Sequence, residues 1–235
     1  LVIEDKNTVR TQAFIKVFGL DYTNRFTDPI HFLNGSFQNY RIHKFYEHNF
    51  SFISRNLFAE YVYLRRPKYD RAILTRYSEV MTKKITGAGT VIKRFHDQIS
   101  TILSQNNADD SDIGYLRPNK VLVPVIHAQS RSYFDLLLLA DSLFTITAAA
   151  VLQGLIDSEQ KKNAENKSII ALRAIGATVR AETIVLRKEA HRVRDEMKKE
   201  GVLVDHEMDT AIETQSSVID ESIAIEKTNT QIDGV

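Results

Sequence analysis

Arg117, Asn119, Lys120, His127, Gln129 and Arg131 crowd around one short apolar run, KVLVPVIH at 120–127. Lysine and arginine neutralise backbone phosphates, while arginine, asparagine and glutamine pair with base edges, so this set suits a nucleic-acid surface. Downstream, Thr145 and Thr147 stand at the expected start of a helix, where a threonine cap and free N–H groups would hold one more phosphate. Enzyme chemistry finds less to work with. The glycines form neither a phosphate loop nor a dinucleotide fingerprint, and neither HExxH nor GxSxG occurs. Cysteine is absent, which excludes disulfides, thiolate zinc sites, iron–sulfur clusters and cysteine nucleophiles. Of the histidines, His43 and His48 lie five apart and face different sides of a helix. His206, beside Asp205, Glu207 and Asp209, reads as a solvent-facing acidic stretch. The expectation is therefore no catalytic residue, no metal and no cofactor.

Charge supports the same direction. The formal net charge of +1 hides an asymmetry: residues 41–100 carry 12 Lys/Arg against 5 Asp/Glu, while residues 201–235 carry only Lys227 against eight acids. A positive body with an acidic tail suits a polyanion-binding protein whose tail can compete for the same surface. A second basic surface lies in 41–94, where Arg41, Lys44, Arg65, Arg66, Lys68, Arg71, Arg76, Lys83, Lys84, Lys93 and Arg94 alternate with Tyr40, Tyr46, Tyr61, Tyr63 and Tyr69. Such tyrosines can stack on bases, though at helical spacing they serve equally as core and rim residues.

The elements that must position these groups are mostly helices. Nine glycines and four prolines in 235 residues favour long helices over a many-turned β fold. Residues 8–18 fit a helix or a strand, and 19–29 a loop. Helical spacing runs through 36–59 and 69–85, a break is expected at Gly87-Ala88-Gly89, and the pattern resumes over 91–103. The polar run 105–114 is the expected boundary between a helical, basic and aromatic-rich region (1–104) and a second region (115–200). The latter reads as a strand over 120–127, helices over 131–144 and 147–160, and a long helix over 167–200. Residues 201–235 form an acidic tail. The apolar stretch 133–156 is broken by Asp135 and Asp141, so no membrane span is expected.

A lone strand in a helical protein must find partners for its backbone N–H and C=O groups. Pairing with its own copy about a two-fold axis would solve the problem, with Phe134, Leu137, Leu138 and Leu139 forming the dimer core. The resulting antiparallel ribbon fits the major groove. Pro124 must then lie at an outward position or a bulge. The same strand would serve equally as an ordinary buried one, or pair with residues 10–18. The fold expected is mainly α with a short β ribbon, a ribbon–helix–helix-like element embedded in a larger helical domain.

Several motifs resemble the AcaB-like group of proteins encoded on integrating conjugative elements and conjugative plasmids. TVRTQAFIKVF (8–18) is similar to that group's opening. LFAEYVYLRR (57–66) resembles its aromatic stretch, with Leu57, Tyr61 and Val62 departing from the usual proline and tryptophans. SRSYFDLLLLADSLFTITAAAVLQGLI (130–156) resembles its leucine-rich Ala-Asp segment, and AIGATVR (174–180) its glycine-containing motif. The resemblance implies a cytoplasmic bacterial regulator, an activator of conjugative transfer genes, that binds double-stranded DNA as a homodimer through a ribbon–helix–helix element. RNA polymerase or transfer-machinery proteins are the further partners it implies. The rival from another class is a non-catalytic helical accessory or scaffold protein of the conjugation apparatus.

Overall fold

The computed structural model describes residues 6–24, 26–65, 67–108 and 115–201. The tail beyond Gly201, with the His206 group, and positions 109–114 of the polar run lie outside the described residues. The chain is mainly α with one two-stranded antiparallel sheet. Its order is α1 (Lys6–Phe18), α2 (Leu20–Thr23), β1 (His31–Phe37), α3 (Tyr40–Leu64), α4 (Arg71–Gln105), β2 (Asn119–Val125), α5 (Ala128–Leu152) and α6 (Ser158–Lys199).

The long helices follow from apolar stripes and side-chain caps. In α3, Ile42, Tyr46, Phe50, Ile53 and Leu57 recur three or four residues apart and are all buried, the spacing that puts one face into a core. Asn39 starts this helix by accepting from Arg41 N at 2.9 Å, and Asp70 starts α4 by accepting from Ala72 N at 2.8 Å. Asp157 and Gln160 form a reciprocal capping box at the head of α6. Helix α4 is buried through Leu74, Tyr77, Met81, Ile85, Ala88 and Ile92. It packs against both α5 and α6. Gln129 of α5 reaches Ser78 and Thr82, and Arg76 pairs with Glu182 of α6.

Several expected boundaries shift. Residues 8–18 are helical, and the 19–29 loop contains the short α2. No break occurs at Gly87-Ala88-Gly89: α4 runs straight through, with Ala88 buried between the two glycines. A single helix α5 covers 131–144 and runs on to Leu152, Gly154 follows it with φ 70°, and residues 158–160 already belong to α6. The strand thus leads into a single 25-residue helix and then into α6, so the two helices that follow it have other bounds than expected.

The strand itself finds its partner within the chain. β2 pairs antiparallel with β1, from Phe37 opposite Asn119 to His31 opposite Val125. That ladder answers the backbone requirement, so neither a second copy nor residues 10–18 is needed for it. Phe134 and Leu137, expected in a dimer core, are buried in the chain's own core, and Leu138 and Leu139 pack against it. Helix α5 is long and apolar enough to cross a bilayer. Its apolar residues Phe134, Leu137, Ala140, Leu143 and Phe144 are instead buried among the other elements.

Candidate nucleic-acid interface

Residues directly opposite one another in an antiparallel pair share a face, and faces alternate along each strand. One face of this ribbon carries Leu33, Gly35 and Phe37 with Val121 and Val123, and it rests on aromatic rings of α3 and α5. Phe37 lies 6.0 Å from Phe134 and 5.2 Å from Tyr46, centroid to centroid. Gly35 is required here: a Cβ at this position would stand 2.5 Å from Phe134 Cζ and 3.2 Å from Val121 Cγ2. At Gly35 the ribbon lies so close to α5 that no side chain fits between them.

The other face carries Phe32, Asn34 and Ser36, opposite Pro124, Leu122 and Lys120. Its two ends differ. Near Phe32, α1 approaches β2, and the Arg10 guanidinium sits 5.4 Å over the Phe32 ring. At the other end Asn34, Ser36 and Lys120 are exposed, with exposed Arg117 just before the strand. The exposed Tyr40 opens α3 three residues beyond β1, with Lys44 Nζ 5.5 Å over its ring. Neither 29–39 nor 115–134 contains an Asp or Glu. The exposed side chains that these two stretches present at the free end of the ribbon are thus polar and cationic.

The junction beneath it is fixed by a buried acid. Asp141 of α5 accepts from Gln38 N and Asn39 N, each at 2.8 Å, where β1 turns into α3. Burial raises its carboxyl above the usual range, and the two N–H donors oppose that shift. The ribbon, α3 and α5 therefore meet in one hydrogen-bonded corner.

The predicted site residues separate into three groups. Arg117, Asn119 and Lys120 stay together at the free end, Lys120 facing outward opposite Ser36 and Asn119 on the face of Phe37. His127, Gln129 and Arg131 cluster at the start of α5. His127 is its N-cap residue, with Nε2 4.0 Å from Glu60, and burial lowers the imidazole's pKa from 6.5. Burial likewise raises Glu60 above 4.5, against a hydrogen bond from Ser78. Gln129 is held inward by Ser78 and Thr82, and Arg131 is exposed and paired with Asp135 at 3.8 Å.

Thr145 and Thr147 do not open a helix. Both lie inside α5, where their N–H groups belong to the helix ladder, and each hydroxyl donates to a carbonyl of its own helix. Thr147 is fully buried and also reaches Glu165 at 3.4 Å. The phosphate role expected of them is corrected accordingly. Asn34 and Ser36 are the residues that the sequence reading missed. Their signal was the alternation in HFLNGSF, an exposed polar residue at every second position near the strand's end.

The outward face of α4 is the other exposed polar surface. It holds two open depressions of about 490 and 570 Å3, lined by residues including Lys83, Thr86, Thr90, Lys93 and Arg94. Glu79 and Asp97 interrupt its positive charge, which makes it the poorer match to a polyanion. Among the described residues, no group of three or more His, Asp or Glu side chains could hold a metal ion.

Fold and site together define a helical body that carries an intrachain two-stranded ribbon with a basic free end. No protein-family model matches the chain, and no curated protein matches it. Among solved structures, the crystal structure of selenomethionine-containing AcaB from uropathogenic E. coli is similar, with a TM-score of 0.66 and 18% sequence identity. The match covers 80% of this chain and all of that one. The chain has an AcaB-like fold, and at this identity the likeness shows the fold alone.

Proposed function

We propose that this protein is a non-catalytic, sequence-specific regulator that binds double-stranded DNA with the free end of its intrachain ribbon. A two-stranded ribbon has the width of the major groove, and it reads bases with outward side chains while cations beside it hold phosphates. Asn34 and Ser36 supply base-reading groups, Lys120 and Arg117 supply charge, and Tyr40 and Lys44 flank the approach. The observation that carries this reading is the absence of Asp and Glu from residues 29–39 and 115–134, beside two exposed cations, Arg117 and Lys120.

The resemblance in sequence and the AcaB-like fold support the finer reading: a cytoplasmic activator of conjugative transfer genes, acting as a homodimer on two half-sites. In such a dimer each chain brings a complete ribbon, and the two-fold axis lies elsewhere. RNA polymerase or a transfer-machinery protein would be met by another surface.

The test is a salt series. Fluorescence anisotropy with a mixed-sequence DNA duplex should give an affinity that falls by orders of magnitude between about 50 and 200 mM salt, as release of counterions from several phosphates requires. An absence of duplex binding at the lowest salt would refute the reading and favour a protein-binding accessory role.

A further inference from the structure

Helix α6 carries an apolar seam on its outward side. Ile170, Ala174, Ala177, Ala181 and Ile184 recur at steps of four and three, the spacing that keeps one stripe facing a partner helix. Ile170 is 63% exposed and Ile184 44%, and Ala177 and Ala181 are exposed as well. The core stripe of the same helix, through Leu172, Val179, Leu186 and Val193, points the other way.

The charge beside the seam has one sign. Between Glu165 and Glu189 the helix bears Lys167, Arg173, Arg180, Arg187 and Lys188, and its only acid there is Glu182. Glu182 is committed to Arg76 of α4. A second copy of the same stripe would bring like charges together, which is unfavourable. The occupant that fits is apolar along one line and acidic beside it.

We infer that the chain's own acidic segment, residues 202–235, docks along this face of α6. It carries eight acids against Lys227, and its apolar residues Ile212, Ile219 and Ile223 recur at steps of seven and four. The segment begins directly after Gly201, which closes α6 with φ 70° and an N–H bonded to Lys198 O at 3.2 Å. This is a left-handed glycine cap of a helix end. Ile170 lies about 47 Å back along α6 at 1.5 Å per residue, within reach of 34 residues whether helical or extended. Docking places Ile219 and Ile223 against Ile184 and Ala181, with Asp220, Glu221 and Glu226 beside the arginines and lysines. The inference is independent of DNA binding and would hold for a scaffold as well.

The full chain has no cysteine, so introduced pairs are its only thiols. A chain with Ala181→Cys and Ile223→Cys, treated with a flexible bis-maleimide at submicromolar concentration, should cross-link within one molecule. The pair Ser36→Cys and Ile223→Cys, with one thiol on the ribbon, should not. Adding Lys188→Glu to the first pair should slow its reaction several-fold. Cross-linking at Ser36 instead, products linking two chains, no reaction at either pair, or indifference to Lys188→Glu would each overturn the assignment.

Discussion

Replacing Asp141 by alanine tests the corner on which the ribbon is seated. The carboxylate satisfies two backbone donors, Gln38 N and Asn39 N, both partly buried and both at 2.8 Å. An orphaned buried donor costs about 1–3 kcal/mol. Removal of a buried acid also relieves the desolvation that raises its carboxyl, which offsets part of that loss. The expected net cost is about 2–4 kcal/mol. At roughly 2–4 °C per kcal/mol for a chain of this size, the melting temperature should fall by about 5–15 °C. Asp141→Asn keeps one acceptor but turns an NH2 group toward the second N–H, so it should lie between wild type and alanine. Circular dichroism melts and urea titrations measure both variants, and amide exchange should quicken first at 38 and 39. A melting temperature for Asp141→Ala within about 1 °C of wild type would refute this reasoning, because two charge-assisted hydrogen bonds cannot be lost without cost.

Other substitutions separate seating from reading. Gly35→Ala forces a methyl group against the buried Phe134 ring and should cost about 1–3 kcal/mol in urea denaturation. Thr147→Val removes the hydroxyl bonds to Phe144 O and Glu165, so it should cost about 1 kcal/mol while leaving duplex affinity unchanged. His127 is held below 6.5 by burial, so the unfolded chain binds its proton more readily, and stability should fall as pH drops below about 6.5. His127→Gln should flatten the melting curve between pH 7.5 and 5.5. Glu60 works in the opposite sense and nearer its own range, since protonation relieves its burial as pH falls.

The helical majority of the fold was legible because α3, α4 and α6 each carry a long apolar stripe. The β2 strand was legible from its β-branched run. Its partner was not, since β1 contains Asn34 and Gly35, poor strand formers, and Phe37 falls in step with the aromatic spacing of α3. Gly35 is there because of Phe134, a neighbour distant in sequence. The glycines at 87 and 89 suggested a break that packing against α5 and α6 overrides. Thr145 and Thr147 resembled a cap because threonine serves both at helix starts and, bonded back to its own helix, in helix interiors. Arg117, Asn119 and Lys120 lie together because they adjoin one another in the chain at the start of β2. Asn34 and Ser36 could only join them once the register was known.

Reversing charge at the ribbon's free end, with a matched reversal on α4, tests the account most directly. Lys120→Glu combined with Arg117→Glu should abolish measurable duplex binding at low salt while leaving the melting temperature near wild type, since both positions are exposed. Lys83→Glu combined with Lys93→Glu on α4 should weaken binding only slightly. Full affinity in the ribbon variant, or loss confined to the α4 variant, would contradict the claim that the ribbon meets DNA.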